Sequence, residues 1–383
     1  MRLAIRLLHA SLQDLKQGLG GLGFAVAFQP KGDRCQGEGV QLLRAVRQSI
    51  EFDFRILPET INLIRQTIPK LAQVSPERLR DEVFHMLEGP APASAIRIMD
   101  RINALSYVLP DLLALRAVAQ PPPHIHNVWE HTLATLHESV KVMKVLSQSY
   151  DAESATSWAL GLVSLRLGRF RQLIHDHLES HLTPDRSARS LICLAALYHD
   201  ISKPETLQKE LDGRIHYYDH DRKGADICRE RGKALRLSNP EVERLASIVR
   251  FHMRPLLLAQ SDDLPSRRAI YRFFRDAGES GIDVCLLALA DTMATYGPGL
   301  PETTWIRLVD VIRRLLEAWW EEPEKVVSPP VLLTGDDLMQ LLNIKPGPQV
   351  GKLLEMVREA QAAGELEGRD QAVDFARSKL DQG

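Results

Sequence analysis

Thirteen histidines occur in the 383 residues, and eleven of them fall between His124 and His252. Imidazole carries protons and binds metals near neutral pH, so this middle third is the place to look for chemistry. Leu191–Pro204 reads LICLAALYHDISKP, a His-Asp pair directly after eight uncharged residues. The run predicts a buried helix that ends at His199-Asp200, with Pro204 stopping it. A carboxylate there faces the negative end of the helix dipole. Unless it is paired, it also carries a desolvation cost of several kcal/mol. Asp200 therefore needs a cation, and a divalent metal would serve. Val284–Asp291, VCLLALAD, repeats the pattern: a second apolar helix ending in an aspartate. Two buried helices that bring carboxylates to one point supply what a divalent ion requires.

Other candidates stand at predicted helix ends, where a side chain can reach into a cleft. His131 lies in VWEHTL at the opening of an amphipathic helix, His220 lies in YYDHD, and His252 lies in VRFHMRP. Arg250 and Arg254 flank His252, and cations beside a metal can hold a phosphate. His175-Asp176 is different. It sits in RQLIHDHLESH with no apolar run before it, so His175, His177 and His181 are read as a solvated helix face. His124 and His126, in a proline-rich entry, are read as exposed. Arg44 and Arg47 share a helix face that could either meet RNA phosphates or simply be solvated.

Taken in order, His131, His199-Asp200, His220, His252 and Asp291 resemble the HD superfamily of metal-dependent phosphohydrolases. That resemblance implies that His131, His199, Asp200 and Asp291 hold one metal. His220 and His252 would help hold a second, with Asp200 bridging the two. Lys203 matches the family's lysine that holds a substrate phosphate, and Ser202 stands where the family often has glycine. The segments LLRAVR (42–47), LAQVSPERLRD (71–81), Gln120 with three prolines, and the tail from Leu332 (LLTGDDLMQLLNIKPGPQVGKLLEMVREAQAAGEL) are similar to the poly(A) polymerase and tRNA nucleotidyltransferase family. In that family they follow a catalytic head. Its GGxVRD loop and paired metal-binding aspartates are not found here. Its base-reading EDxxR motif aligns with Gly37-Glu38-Gly39-Val40-Gln41, a glutamine standing in place of the arginine.

The elements that must position these groups read as helices almost throughout. Leu42, Leu43, Val46 and Ile50 fall at helical spacing, as do Ile61, Ile64 and Ile68. Ser75-Pro76-Glu77 starts a helix that stops near Gly89-Pro90. Another is expected from about Ala93 to Ser106. The only strand candidates are Leu22–Phe28 and Arg214–Tyr218. Trp319-Trp320 is expected to pack against the tail, whose own helix starts are at Thr334-Gly335-Asp336 and Pro346-Gly347-Pro348. Proline punctuation divides the chain into an unassigned segment (1–38), a helical neck (39–119), an HD-type helical bundle (120–326) and a small helical tail (327–383). The expected fold class is all-α.

Composition fits a globular chain: 44% apolar, 26% charged, formal charge −2. Nothing approaches the roughly 20 apolar residues of a membrane span, and the N-terminus has no signal-peptide layout. The four scattered cysteines read as reduced thiols in the cytoplasm. The expected activity is that of a phosphohydrolase acting on a phosphoester, a nucleotide or a tRNA/RNA end. One or two divalent ions (Mn, Fe, Co, Ni, Zn or Mg) would lower the pKa of bound water from about 15.7 towards 7. Asp200 and Lys203 would be catalytic, and Lys203, Arg250 and Arg254 would hold the phosphate. The alternative is a non-catalytic RNA-binding module with a structural metal, derived from a tRNA nucleotidyltransferase.

Overall fold

A computed structural model describes residues 25–26, 35–53, 55–56, 58–149, 155 and 157–381. Its described residues are almost entirely helical, as expected. The neck comprises α1 (Cys35–Glu51), α2 (Pro58–Thr67), a 3-10 segment (Ile68–Gln73), α3 (Pro76–Glu88), α4 (Pro92–Arg101) and α5 (Leu105–Val108). Two residues, β1 (Ala25–Val26), pair in parallel with β2 (Arg55–Ile56); the rest of the Leu22–Phe28 strand candidate lies outside the described residues. The single helix expected from Ala93 to Ser106 is two helices, because Asn103 takes a left-handed backbone conformation (φ 65°) between them. Asparagine tolerates that conformation better than most residues.

Glu82 of α3 is buried, with 3% exposure. It accepts hydrogen bonds from Arg44 Nε at 2.6 Å and Arg47 Nε at 3.3 Å. The two arginines therefore neutralise a buried carboxylate, and their shared face closes the neck core.

The central bundle follows a 3-10 segment (Pro110–Ala117) and the proline run. It contains α6 (Val128–Val145), α7 (Trp158–Leu167), α8 (Arg171–Leu178), α9 (Ala188–Tyr198), α10 (Lys203–Thr206), α11 (His220–Ala234), α12 (Asn239–Phe251), α13 (Arg254–Leu258), α14 (Arg267–Ala277), α15 (Ser280–Tyr296) and α16 (Glu302–Glu321). Helix α6 packs against α9 and α15, and α12 packs against α9, α11 and α15. Helix α12 starts on a capping box between Ser238 and Glu241, a reciprocal pairing that satisfies two orphan donors. Two hairpins decorate the bundle: β3 (His181–Thr183) with β4 (Arg186–Ser187), and β5 (Leu207–Lys209) with β6 (Ile215–Tyr217), both antiparallel. The Arg214–Tyr218 candidate thus contains a strand, with Leu207 opposite Tyr217.

Pro204 lies in the first turn of α10 rather than stopping α9, a position where its missing N–H costs nothing. Asp291 is not at a helix end either: α15 continues to Tyr296 before Gly297 (φ 52°) turns the chain. Trp319 and Trp320, expected on the tail, pack on Phe274 and Phe170 of the bundle.

After a π-type turn (Pro323–Val327) come α17 (Gly335–Leu342), α18 (Pro348–Ala362) and α19 (Arg369–Asp381). Neck and bundle side chains share one continuous apolar core. The tail has its own core, built on Leu333, Leu338, Val350, Leu353, Val357 and Leu366. Among the described residues, no helix is long and apolar enough to cross a membrane.

Candidate metal centre

Five bundle helices bring one side chain or pair each to a common point. Asn127 caps α6 by accepting from Glu130 N, which places His131 in the first turn with its ring directed inward, 1% exposed. His199-Asp200 follows α9, whose residues from Ser190 to Tyr198 are all buried. His220 opens α11, His252 follows α12, and Asp291 lies on α15 one and a half turns from its end.

The sequence-predicted ligands converge. His131 Nε2 is 3.0 Å from Asp291 Oδ1, 3.3 Å from His199 Nε2 and 3.7 Å from Asp200 Oδ2. His199 Nε2 is 3.2 Å from Asp200 Oδ2, and His220 Nε2 is 3.7 Å from Asp200 Oδ1. Two groups have ligand atoms close enough to share an ion: His131, His199 and Asp200, and Asp200, His220 and His252. Asp200 belongs to both.

The histidine tautomers follow from the backbone. Nδ1 of His199, His220 and His252 each donates to the carbonyl three residues earlier, at 2.9, 2.8 and 2.7 Å. With Nδ1 protonated and tied, Nε2 of a neutral ring presents a lone pair to the centre. Burial pushes His252 down to about 3, helped by the His199 and His220 rings, and burial also lowers His220. Both rings are therefore neutral at neutral pH. For Asp200, burial would raise the pKa, but His199 and Lys203 outweigh it and hold the carboxyl well below the usual range. Asp291 is lowered in the same way, by the His131 hydrogen bond and by His199, against burial. The donor set is four imidazoles, of which His220 and His252 are neutral at neutral pH, with two carboxylates, which suits a divalent ion. Asp200 Oδ2 and His131 Nδ1 are buried without hydrogen-bond partners. Lys203 offsets only one of the two buried carboxylate charges here, and a cation at this point offsets the other. The residues fit a metal.

A cavity of about 420 Å³ opens onto the centre, walled by Pro121–His124, Ile215–Tyr218, Met253, Leu256 and Tyr296. Lys203 lies in its floor. Its Nζ is 2.6 Å from Asp200 Oδ2, donates to Gln120 Oε1 at 2.6 Å and sits 5.2 Å from the Tyr217 ring. Arg250 and Arg254 do not join this cluster: Arg250 pairs with Asp221 and Arg254 with Asp276 at 2.7 Å, and neither lines the cavity. His124 does line it, rather than pointing to solvent; burial and the Lys203 charge lower its pKa to about 4. Gln120 and Tyr217 were not foreseen. The proline run and the strand signal at 214–218 marked their segments without marking their roles.

A second buried cluster was misread from the sequence. His177 is 7% exposed, not on a solvated face. Its Nε2 lies 2.6 Å from Asp283 Oδ1, and Arg244 grips the same carboxylate at 2.6 and 3.0 Å. Burial would lower the His177 pKa, but Asp283 outweighs it and lifts the ring to about 9.

Three family models match the chain: the RNA- and SrmB-binding site of polymerase A over residues 53–115, the HD domain over 164–296, and domain 2 of tRNA nucleotidyltransferases over 326–376. His131 lies before the HD match, and only the folded bundle brings it to the other ligands. The chain is 28% identical over 351 residues to an A-adding tRNA nucleotidyltransferase of Deinococcus radiodurans, covering 90% of this chain and 69% of the relative. It is 28% identical over 305 residues to a CC-adding tRNA nucleotidyltransferase of Thermus thermophilus, covering 78% and 56%. A CC-adding tRNA nucleotidyltransferase of Geobacter sulfurreducens is 25% identical over 369 residues, covering 96% and 70%. The chain thus spans between about half and 70% of the length of these relatives. It carries an HD domain and resembles the tail of CCA-adding enzymes. These relatives transfer nucleotides and are not phosphohydrolases, which overturns the phosphohydrolase expectation. The alternative reading, an RNA-binding chain derived from a tRNA nucleotidyltransferase, fits better.

Proposed function

We propose that this chain is an RNA-binding body of tRNA nucleotidyltransferase type, acting on tRNA in the cytoplasm, with an HD centre whose divalent metal is structural. The observation that carries it is a likeness to A-adding and CC-adding tRNA nucleotidyltransferases that runs through 78–96% of the chain, neck to tail. The match of the neck to an RNA-binding model points the same way. In this reading the neck (39–119) and tail (327–383) hold the RNA, and the HD bundle (120–326) connects them.

His131, His199, Asp200 and Asp291 would hold one ion, and Asp200, His220 and His252 a second. The two ions together would tie α6, α9, α11, α12 and α15, and Lys203 neutralises what remains of the Asp200 charge. The donor set admits Mn, Fe, Co, Ni, Zn or Mg.

Filter binding of the full chain to an unmodified tRNA transcript tests the reading. The expected result is saturable binding that weakens as salt rises and that exceeds binding to an unstructured RNA of equal length. Equal affinity for the two RNAs, or none for either, would overturn it.

A further inference from the structure

The tail is joined to the bundle by charge. Among the described residues, its apolar core shares no cluster with that of neck and bundle. What meets across the junction is α14, with the Pro323–Val327 turn beside it, on one side and α18 with the residue run after it on the other. Helix α14 has two faces. Ile270, Phe273, Phe274 and Ala277 are buried in the bundle. Arg268, Arg272 and Arg275 stand opposite, at i, i+4 and i+7, one straight stripe on a helix. The tail presents Glu355 and Glu359, also i and i+4, and then Glu365.

The pairing is complete. Arg268 reaches Glu359 at 3.1 Å and Glu365 at 2.8 Å. Arg272 binds both oxygens of Glu359, at 2.9 and 2.5 Å. Arg275 reaches Glu355 at 2.8 Å, and Tyr271 donates weakly to the same carboxylate at 3.4 Å. The arginines are 36–54% exposed even so. Exposed pairs of this kind are individually weak and screened by salt. A row of carboxylates on a row of arginines is also the pattern an RNA strand makes with its phosphates, and guanidinium binds phosphate in the same forked geometry.

We infer that the arginine stripe of α14 is a binding surface for the phosphodiester backbone of RNA, covered in this structure by the acidic face of the chain's own tail. RNA exchanges with Glu355, Glu359 and Glu365, and the tail swings free as it does so. Naming RNA as the occupant rests on the function proposed above; the charge-held junction does not.

The test compares full-length variants for tRNA binding at low salt, with small-angle scattering to follow the tail. Glu355→Gln, Glu359→Gln and Glu365→Gln together uncover the stripe. Binding should tighten roughly fivefold, and the radius of gyration should increase. Adding Arg268→Ala, Arg272→Ala and Arg275→Ala should remove the whole gain. The tail core is separate, so these changes leave it folded. A charge-matched control, Asp226→Asn, Glu230→Gln and Glu243→Gln, frees Arg229 and Lys233 on α11 and should give no comparable gain. An equal gain in the control, or none in the uncovered variant, overturns the inference even while the wild-type chain binds tRNA normally. Failure of every variant and the wild type to bind tRNA would instead overturn the RNA-binding reading and this inference with it.

Discussion

Two buried histidine-carboxylate clusters share helix α15, eight residues apart at Asp283 and Asp291. They are built from the same residue types and end in opposite states. At Asp283 both oxygens are bound, one by the His177 ring and both by the Arg244 fork, and Glu279 faces the same two cations at 3.5 and 3.7 Å, so the charges balance. At Asp291 and Asp200 the imidazoles crowd together, Asp200 Oδ2 and His131 Nδ1 make no hydrogen bond, and a cavity opens onto them. A buried ionic cluster that satisfies itself is a strut. One that leaves lone pairs converging on a point is a socket.

Breaking the strut should cost most. Asp283→Ala leaves Arg244 buried and uncompensated, and unfolding by urea should show a loss of about 3–5 kcal/mol. The same substitution at Asp200 should cost less in chelator-treated protein, since Lys203 keeps its hydrogen bond to Gln120; an equal loss at both sites would erase the distinction drawn here. Next in size, the socket should respond to metal and the strut should not. Adding Mn²⁺ or Zn²⁺ to chelator-treated protein at about 100 times Kd should stabilise it by about 2.7 kcal/mol. Asp200→Ala should abolish that gain, as read by melting temperature and metal content, whereas His177→Asn should keep it.

The strut should also show in the pH dependence of stability. The folded His177 ring, lifted to about 9 from its ordinary 6.5, contributes stability that is fully present below pH 6.5 and is lost as pH rises through about 9. Asp283, lowered by His177 and Arg244 against the effect of burial, contributes above pH 3.8 and loses its contribution at acid pH. Urea midpoints measured from pH 6 to 10 should fall in the wild type, and should fall less in His177→Asn. The smallest effect belongs to the tail. Thr334→Ala removes the capping box with Asp337 and should cost about 1 kcal/mol, seen as faster amide exchange confined to α17.

The socket was legible in the chain because its central residues sit beside an apolar run. LICLAALYHD cannot leave Asp200 in a dry interior without a cation, and that argument needs no tertiary information. His220 and His252 were harder, since a histidine at a helix end is common; their order along the chain made the case. Arg250 and Arg254 flank His252 in sequence, but they lie on two different helices, α12 and α13. The two found Asp221 and Asp276 instead of the cavity.

His177 was illegible for the converse reason. Its own helix, RQLIHDHL, is polar on most sides, and its partners lie on α12 and α15. The tail junction was equally hidden, because an arginine stripe and an acidic stripe each read as solvated until they are set face to face.

By itself the sequence determined the helices, their apolar faces, the all-α class and the presence of an HD set, because these depend on spacing within about twenty residues. Tertiary structure alone decided which charges cancel one another and which remain open for an ion. Cancellation depends on the distance between groups far apart in the chain, and local patterning carries no record of that distance.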